Sequence, residues 1–150
     1  MNKHIRPATS QVAEQWPNLD ESVEVELTSE DAEWPIEHAL LDQETRGWRA
    51  AAAGSQTISL RWPQARRITR IRLVYEERSR PRTQEFVLRA FTIDGQREIV
   101  RQQFTFSPPD TTVEREEYAT NLDGVLRLEL VIIPAIDGDA VATLREWRIA

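Results

Sequence analysis

Apolar residues recur at every second position through most of this chain, and that period constrains the fold more than any other feature of the sequence. Ser22 to Thr28 sets Val23, Val25 and Leu27 on one face and Glu24 and Glu26 on the other. Gln56 to Trp62 aligns Ile58, Leu60 and Trp62, and Ile68 to Tyr75 aligns Ile71, Leu73 and Tyr75. A period of two marks a strand with one face on a core and the other toward water. Glu85 to Ile93 carries apolar residues on both faces, as a strand in the middle of a sandwich does. Asp94-Gly95 is a two-residue hairpin signal, so Glu98 to Phe106 is expected to pair back onto it. Thr112 to Tyr118 reads as a charged edge strand. Val125 to Ile133 reads as a central one with Leu126, Leu128, Leu130 and Ile132 inward, and Thr143 to Ile149 as the closing strand.

The breaks between these runs follow the same logic. Pro63 lacks a ladder donor and is expected to end its strand, and Asn121-Leu-Asp-Gly124 reads as a turn. Pro35 to Leu41 is the one credible helix, one turn or two, with proline suited to its first turn. The alanine run after Arg49 is too short to hold a helix alone and is closed by Gly54, so it reads as extended or irregular. Eight or so short strands with almost no helix predict an all-β sandwich, a jelly roll. At 150 residues and 40% hydrophobic content, one domain is expected. Its body is residues 22 to 150. Met1 to Glu21, broken by Pro7 and Pro17, is expected to be a loosely attached arm that packs Val12 and Trp16 on the body.

The net charge of −6 conceals a segregation of sign. Residues 14 to 44 hold eleven Asp or Glu and no Lys or Arg, whereas residues 46 to 101 hold thirteen Arg against five acids. Neighbouring strands of opposite sign are expected to neutralise each other. Eighteen of the nineteen basic residues are Arg, whose planar fork suits bidentate contact with carboxylate or phosphate.

Other chemistries find little support. The chain has no cysteine, so disulfide and thiolate chemistry are excluded. No apolar run is long enough to span a bilayer or serve as a signal peptide, which predicts a cytoplasmic protein. His4 and His38 have no cysteine partner or glycine-framed serine beside them, so no enzyme is expected. Asp137 and Asp139 around Gly138 read as a solvated turn rather than as an acid/base pair.

One stretch stands apart, Ala39-Leu-Leu-Asp-Gln-Glu-Thr-Arg-Gly-Trp48, a compact polar loop with an aromatic at its exit. With Gln56-Thr-Ile-Ser-Leu60, Ile68-Thr-Arg-Ile-Arg-Leu73, Gln84-Glu-Phe-Val-Leu88 and Leu144-Arg-Glu-Trp147, it resembles the discoidin, or coagulation factor 5/8 type C, family. That family belongs to the galactose-binding-like sandwiches, which include many bacterial carbohydrate-binding modules. The resemblance runs from about Ser22 to Ala150 and implies a fold more firmly than an activity.

The resemblance implies a structural calcium held by Asp42, Thr45 and Glu146 beside loop carbonyls. Here the usual Asp-Gly pair reads Asp42-Gln43, and Arg46 stands where the family places a Thr. The alternative is that Arg46 replaces the metal, pairing with Asp42 or Glu146 to staple the loop to the last strand. No cofactor is required in either case. Ligands of such folds meet loops at one end of the sandwich. The residues suited to that role are Trp34, Arg46, Trp48, Arg49 and the Arg78, Arg80, Arg82 loop, since flat aromatics stack on sugar rings and Arg forks onto hydroxyls or a carboxylate. Trp62, Trp147 and Trp48 are expected to be core. A non-catalytic carbohydrate-binding module is the first reading. The second is an intracellular domain binding a protein or an anionic ligand through the Arg loop. A glycan or protein partner is expected, and nucleic acid is not.

Overall fold

The structure, a computed structural model, describes residues 16–41 and 46–150. Among the described residues, eight strands and one short helix follow in order: β1 (Glu24–Leu27), α1 (Glu37–Leu40), β2 (Trp48–Ala53), β3 (Gln56–Glu76), β4 (Arg82–Thr92), β5 (Gly95–Phe106), β6 (Val113–Ile133), β7 (Val141–Leu144) and β8 (Glu146–Ile149). The main sheet runs β1-β3-β6-β4-β5 with β8 added on β3, and β2 and β7 form a separate ribbon. Every pairing is antiparallel.

The two 21-residue strands β3 and β6 make the sandwich. The first part of β3 pairs with the last part of β6, Ile58 opposite Leu130, and the last part of β3 pairs with the first part of β6, Tyr75 opposite Glu114. Between these blocks the register shifts three times, from Arg61 to Arg70. Asn121 (φ 53°) and Gly124 (φ 67°) supply the left-handed backbone that lets the pair bend there. One layer is therefore β1, early β3, late β6, β4 and β5, and the other is early β6, late β3 and β8. Ile58, Leu60, Phe86, Leu88, Leu128 and Leu130 meet Ile71, Leu73, Tyr75 and Trp147 between them, all at 1% exposure or less.

The all-β jelly roll of eight strands is the architecture the alternation predicts, with local differences. Pro63 does not end its strand, because residues 62–65 fall where β3 has no partner in β6 and a missing N–H interrupts no ladder. Asn121 to Gly124 is a bend within β6 rather than a turn between strands. The irregularity there shifts the alternation, so Val125 is fully buried and Leu126 only partly, while Leu128, Leu130 and Ile132 face inward as expected. Residues 113–119 pair with β3 alone among the described strands and form an edge. The β4–β5 hairpin closes at Thr92 opposite Gly95, so its loop is Ile93-Asp94, one residue earlier than expected. The closing segment splits at Arg145, with β7 on β2 and β8 on β3. The alanine run is β2.

Val12 lies outside the described residues. Trp16 sits on the body, under the guanidiniums of Arg70 at 4.1 Å and Arg72 at 5.2 Å, and Asp20 pairs with Arg66 at 3.1 Å. Cross-strand neutralisation occurs among the described residues, where acids of β6 and β8 meet arginines of β3 and β4. Arg72 pairs with Glu117 and Glu146, and Arg89 with Glu129.

Candidate functional site

Where β3 hands over to β4, the second layer opens into a cleft of about 420 Å³, within the ~300–1,000 Å³ typical of small-molecule sites. Four separate segments build it. Trp34 precedes α1, Arg46 to Arg49 leads into β2, Glu76 to Ser79 joins β3 to β4, and Thr143 to Arg145 joins β7 to β8.

Gly47 brings the second and fourth of these together. It has φ +84°, and a Cβ built on it would stand 2.8 Å from Arg145 Cα and 2.8 Å from Leu144 O. Only glycine fits such a close crossing. Trp48 then enters β2 opposite Leu144, and Arg49 opposite Thr143. Trp48 is 1% exposed and donates its indole Nε1–H to Ser29 O at 3.1 Å, so its ring forms the floor.

Trp34 is placed by backbone bonds. The Arg49 N–H donates to Trp34 O at 3.2 Å, and the Asp31 N–H donates to Arg49 O at 2.9 Å. Glu30 accepts from the Ile36 N–H at 2.9 Å and holds the chain as it turns into α1. The half-buried indole of Trp34 lies beneath two exposed guanidiniums, Arg46 at 4.5 Å and Arg49 at 4.6 Å from the ring centroid.

The opposite wall is ionic. Glu76 accepts from both Arg78 and Arg145, and the Thr143 hydroxyl donates to Glu76 O at 3.0 Å. Glu77 accepts from Arg82 Nε at 2.8 Å. Burial pushes the Glu77 carboxyl up, but bonds from Arg82 and from the Ser79 backbone and hydroxyl pull it down further, leaving it below the ordinary carboxylate range.

Of the residues the sequence singles out, Trp34, Arg46, Trp48, Arg49 and Arg78 meet in this cleft. Arg80 does not line it and donates to Asp139 O at 2.7 Å. Arg82 corrects the expectation of a loop residue facing a ligand. It is 6% exposed, begins β4, rests on Phe106 at 4.7 Å, and bonds Glu77, Gln84 and Pro134 O. The parity was readable, since stepping back by twos from Leu88 and Phe86 reaches Gln84 and then Arg82 on the inward face. Arg145, Glu76 and Thr143 were missed. They stand at strand ends, where alternation carries no information about which ends meet.

Asp42 and Thr45 of the calcium set lie outside the described residues. Glu146 does not suit the metal, because its Oε1 stands 3.6 Å from Arg72 Nη1 and 3.5 Å from Arg148 Nε. Among the described residues no bond joins Arg46 to Glu146, and its alternative partner Asp42 lies outside them; the bonds that tie this stretch to the last strand come from Arg148. Arg148 is 7% exposed and donates to Ala39 O at 2.8 Å and Leu41 O at 3.1 Å. A guanidinium thus gathers loop carbonyls and the Glu146 carboxylate around one positive charge.

No protein-family model matches the chain, and no curated protein matches it in sequence. Solved structures do match it in shape. The chain is similar to the family 32 carbohydrate-binding module of C. perfringens NanJ, determined in complex with galactose, with a TM-score of 0.61 at 16% identity over 85% of this chain and 93% of that one. It is similar to the family 32 module of AlyQ in complex with 4,5-unsaturated mannuronic acid, with a TM-score of 0.55 at 16% identity over 85% and 93%. It also matches reduced XRCC1 bound to the DNA polymerase β catalytic domain, with a TM-score of 0.58 at 17% identity over 83% and 92%. The likeness is one of fold: the chain is an antiparallel jelly-roll β-sandwich like those of these solved structures.

Proposed function

We propose that this chain is a non-catalytic binding module that takes a glycan in the cleft between Trp34, Arg49, Arg78 and Arg145. The observation that carries this reading is the convergence of those guanidiniums on a sugar-sized space at one end of the sandwich. Each Arg offers several N–H donors, and sugar hydroxyls and ring oxygens are acceptors. The galactose and mannuronate complexes of like-folded modules support it. The carboxylates in the cleft argue against hydrolysis. Glu76 and Glu77 are both held by arginine, and Glu77 stays ionised, whereas glycoside cleavage requires one protonated acid.

Calorimetric titration of the purified chain with a panel of neutral and acidic oligosaccharides tests the proposal. Saturable binding that Arg145→Ala weakens is expected. Absence of heat with every glycan would remove the reading and favour a protein partner, as XRCC1 has.

A further inference from the structure

The arrangement over Trp34 specifies the charge of the ligand. We infer that the cleft selects a sugar bearing a carboxylate, a hexuronate, and that Arg46 and Arg49 grip that group together. The inference rests on the glycan-binding reading and adds the ligand's chemical class.

Two observations carry it. First, the cleft's own carboxylates are already engaged, Glu76 by Arg78 and Arg145 and Glu77 by the buried Arg82. Among the described residues no carboxylate pairs with Arg46 or Arg49, although both stand at the rim of a cleft. Second, their guanidinium carbons lie 4.5 and 4.6 Å from one ring centroid, so they are separated by no more than the sum of those distances. Two like charges within about 9 Å of each other, roughly one Debye length at physiological salt, repel each other. The π-face of the indole offsets part of that repulsion, and an anion between the two forks would offset the rest.

The same geometry redefines Trp34. Its ring already carries two cations, so it serves as the plate that positions the forks rather than as a stacking platform for a sugar. The second fork also explains the preference for a carboxylate over a hydroxyl, since a planar carboxylate accepts two parallel N–H bonds from one guanidinium and keeps lone pairs for the other.

The test uses the intact chain, trigalacturonate, its fully methyl-esterified form, a neutral galactose trisaccharide and inorganic sulfate. The free acid is expected to bind at least about tenfold tighter than its methyl ester, because each charge-assisted hydrogen bond exceeds its neutral counterpart by that order. Raising the salt concentration should narrow the gap. Arg46→Gln and Arg49→Gln should abolish the discrimination, while Arg97→Gln on exposed β5 leaves it intact. Equal affinity for acid, ester and neutral trisaccharide would overturn the inference and leave the glycan-binding proposal standing. Sulfate binding as tightly as the uronate would overturn it in favour of a plain anion site. No binding to any sugar would overturn both.

Discussion

Gly47 crosses Arg145 so closely that a single methyl group at Gly47 would lie 2.8 Å from the Arg145 α-carbon. That crossing sets the two sides of the cleft in register. Gly47→Ala must both adopt φ near +84° and push the chain off the β7–β8 joint. The left-handed strain alone costs about 1–2 kcal/mol, and displacement of Arg46 and Arg145 should weaken glycan binding beyond what that loss of stability explains. Unchanged affinity in a folded Gly47→Ala protein, measured by calorimetry, would show that the crossing does not position the site.

Trp48 is the floor beneath the guanidiniums rather than a surface for ligand. Trp48→Ala removes a ring that is 1% exposed together with its bond to Ser29 O, and should cost roughly 3–5 kcal/mol. Denaturant unfolding checks this. A midpoint equal to wild type with binding lost would instead make the ring part of the ligand platform.

The Arg148 staple predicts the response to metal. Calcium added to chelator-treated protein should leave the melting temperature unchanged, since Glu146 already faces two guanidiniums. Arg148→Met should lower it, because breaking a buried charge network costs about 3–5 kcal/mol. A calcium-dependent rise in the unmutated protein, growing with concentration, would return the metal to the loop.

A separate buried group sets the pH dependence. Glu114 is 1% exposed, accepts from Gln84 at 2.8 Å and leaves Oε2 without a hydrogen-bond partner. Burial pushes its carboxyl up from 4.5 to about 8, with Glu116 adding to the rise while Gln84 and Arg82 oppose it. The folded state therefore holds Glu114 neutral where the unfolded chain would ionise it. The stability this contributes is complete below pH 4.5 and is lost as pH climbs through about 8. Thermal melts from pH 5 to 9 should show that decline, and Glu114→Gln should flatten it. A slope of the same size in the variant would assign the titration to another group.

The sequence by itself determined where the strands are and which side of most of them is buried. Alternation is a local property, and a strand half-buried on a core must write it into every second residue. Ile71, Leu73 and Tyr75 declare their face without reference to anything distant, and the low helix content follows from the same pattern. What only the tertiary structure decided is which arginines meet. An exposed Arg is soluble at the end of any strand, so nothing local distinguishes Arg49, which lies over Trp34, from Arg80, which caps a carbonyl of Asp139. The staple is a third case. The resemblance implied calcium or Arg46 at this stretch, whereas the guanidinium that bonds the Ala39 and Leu41 carbonyls is that of Arg148, because the split at Arg145 starts a new strand and brings it under them. Charge placed across elements far apart in sequence depends on their packing, and packing is the information that a period of two does not contain.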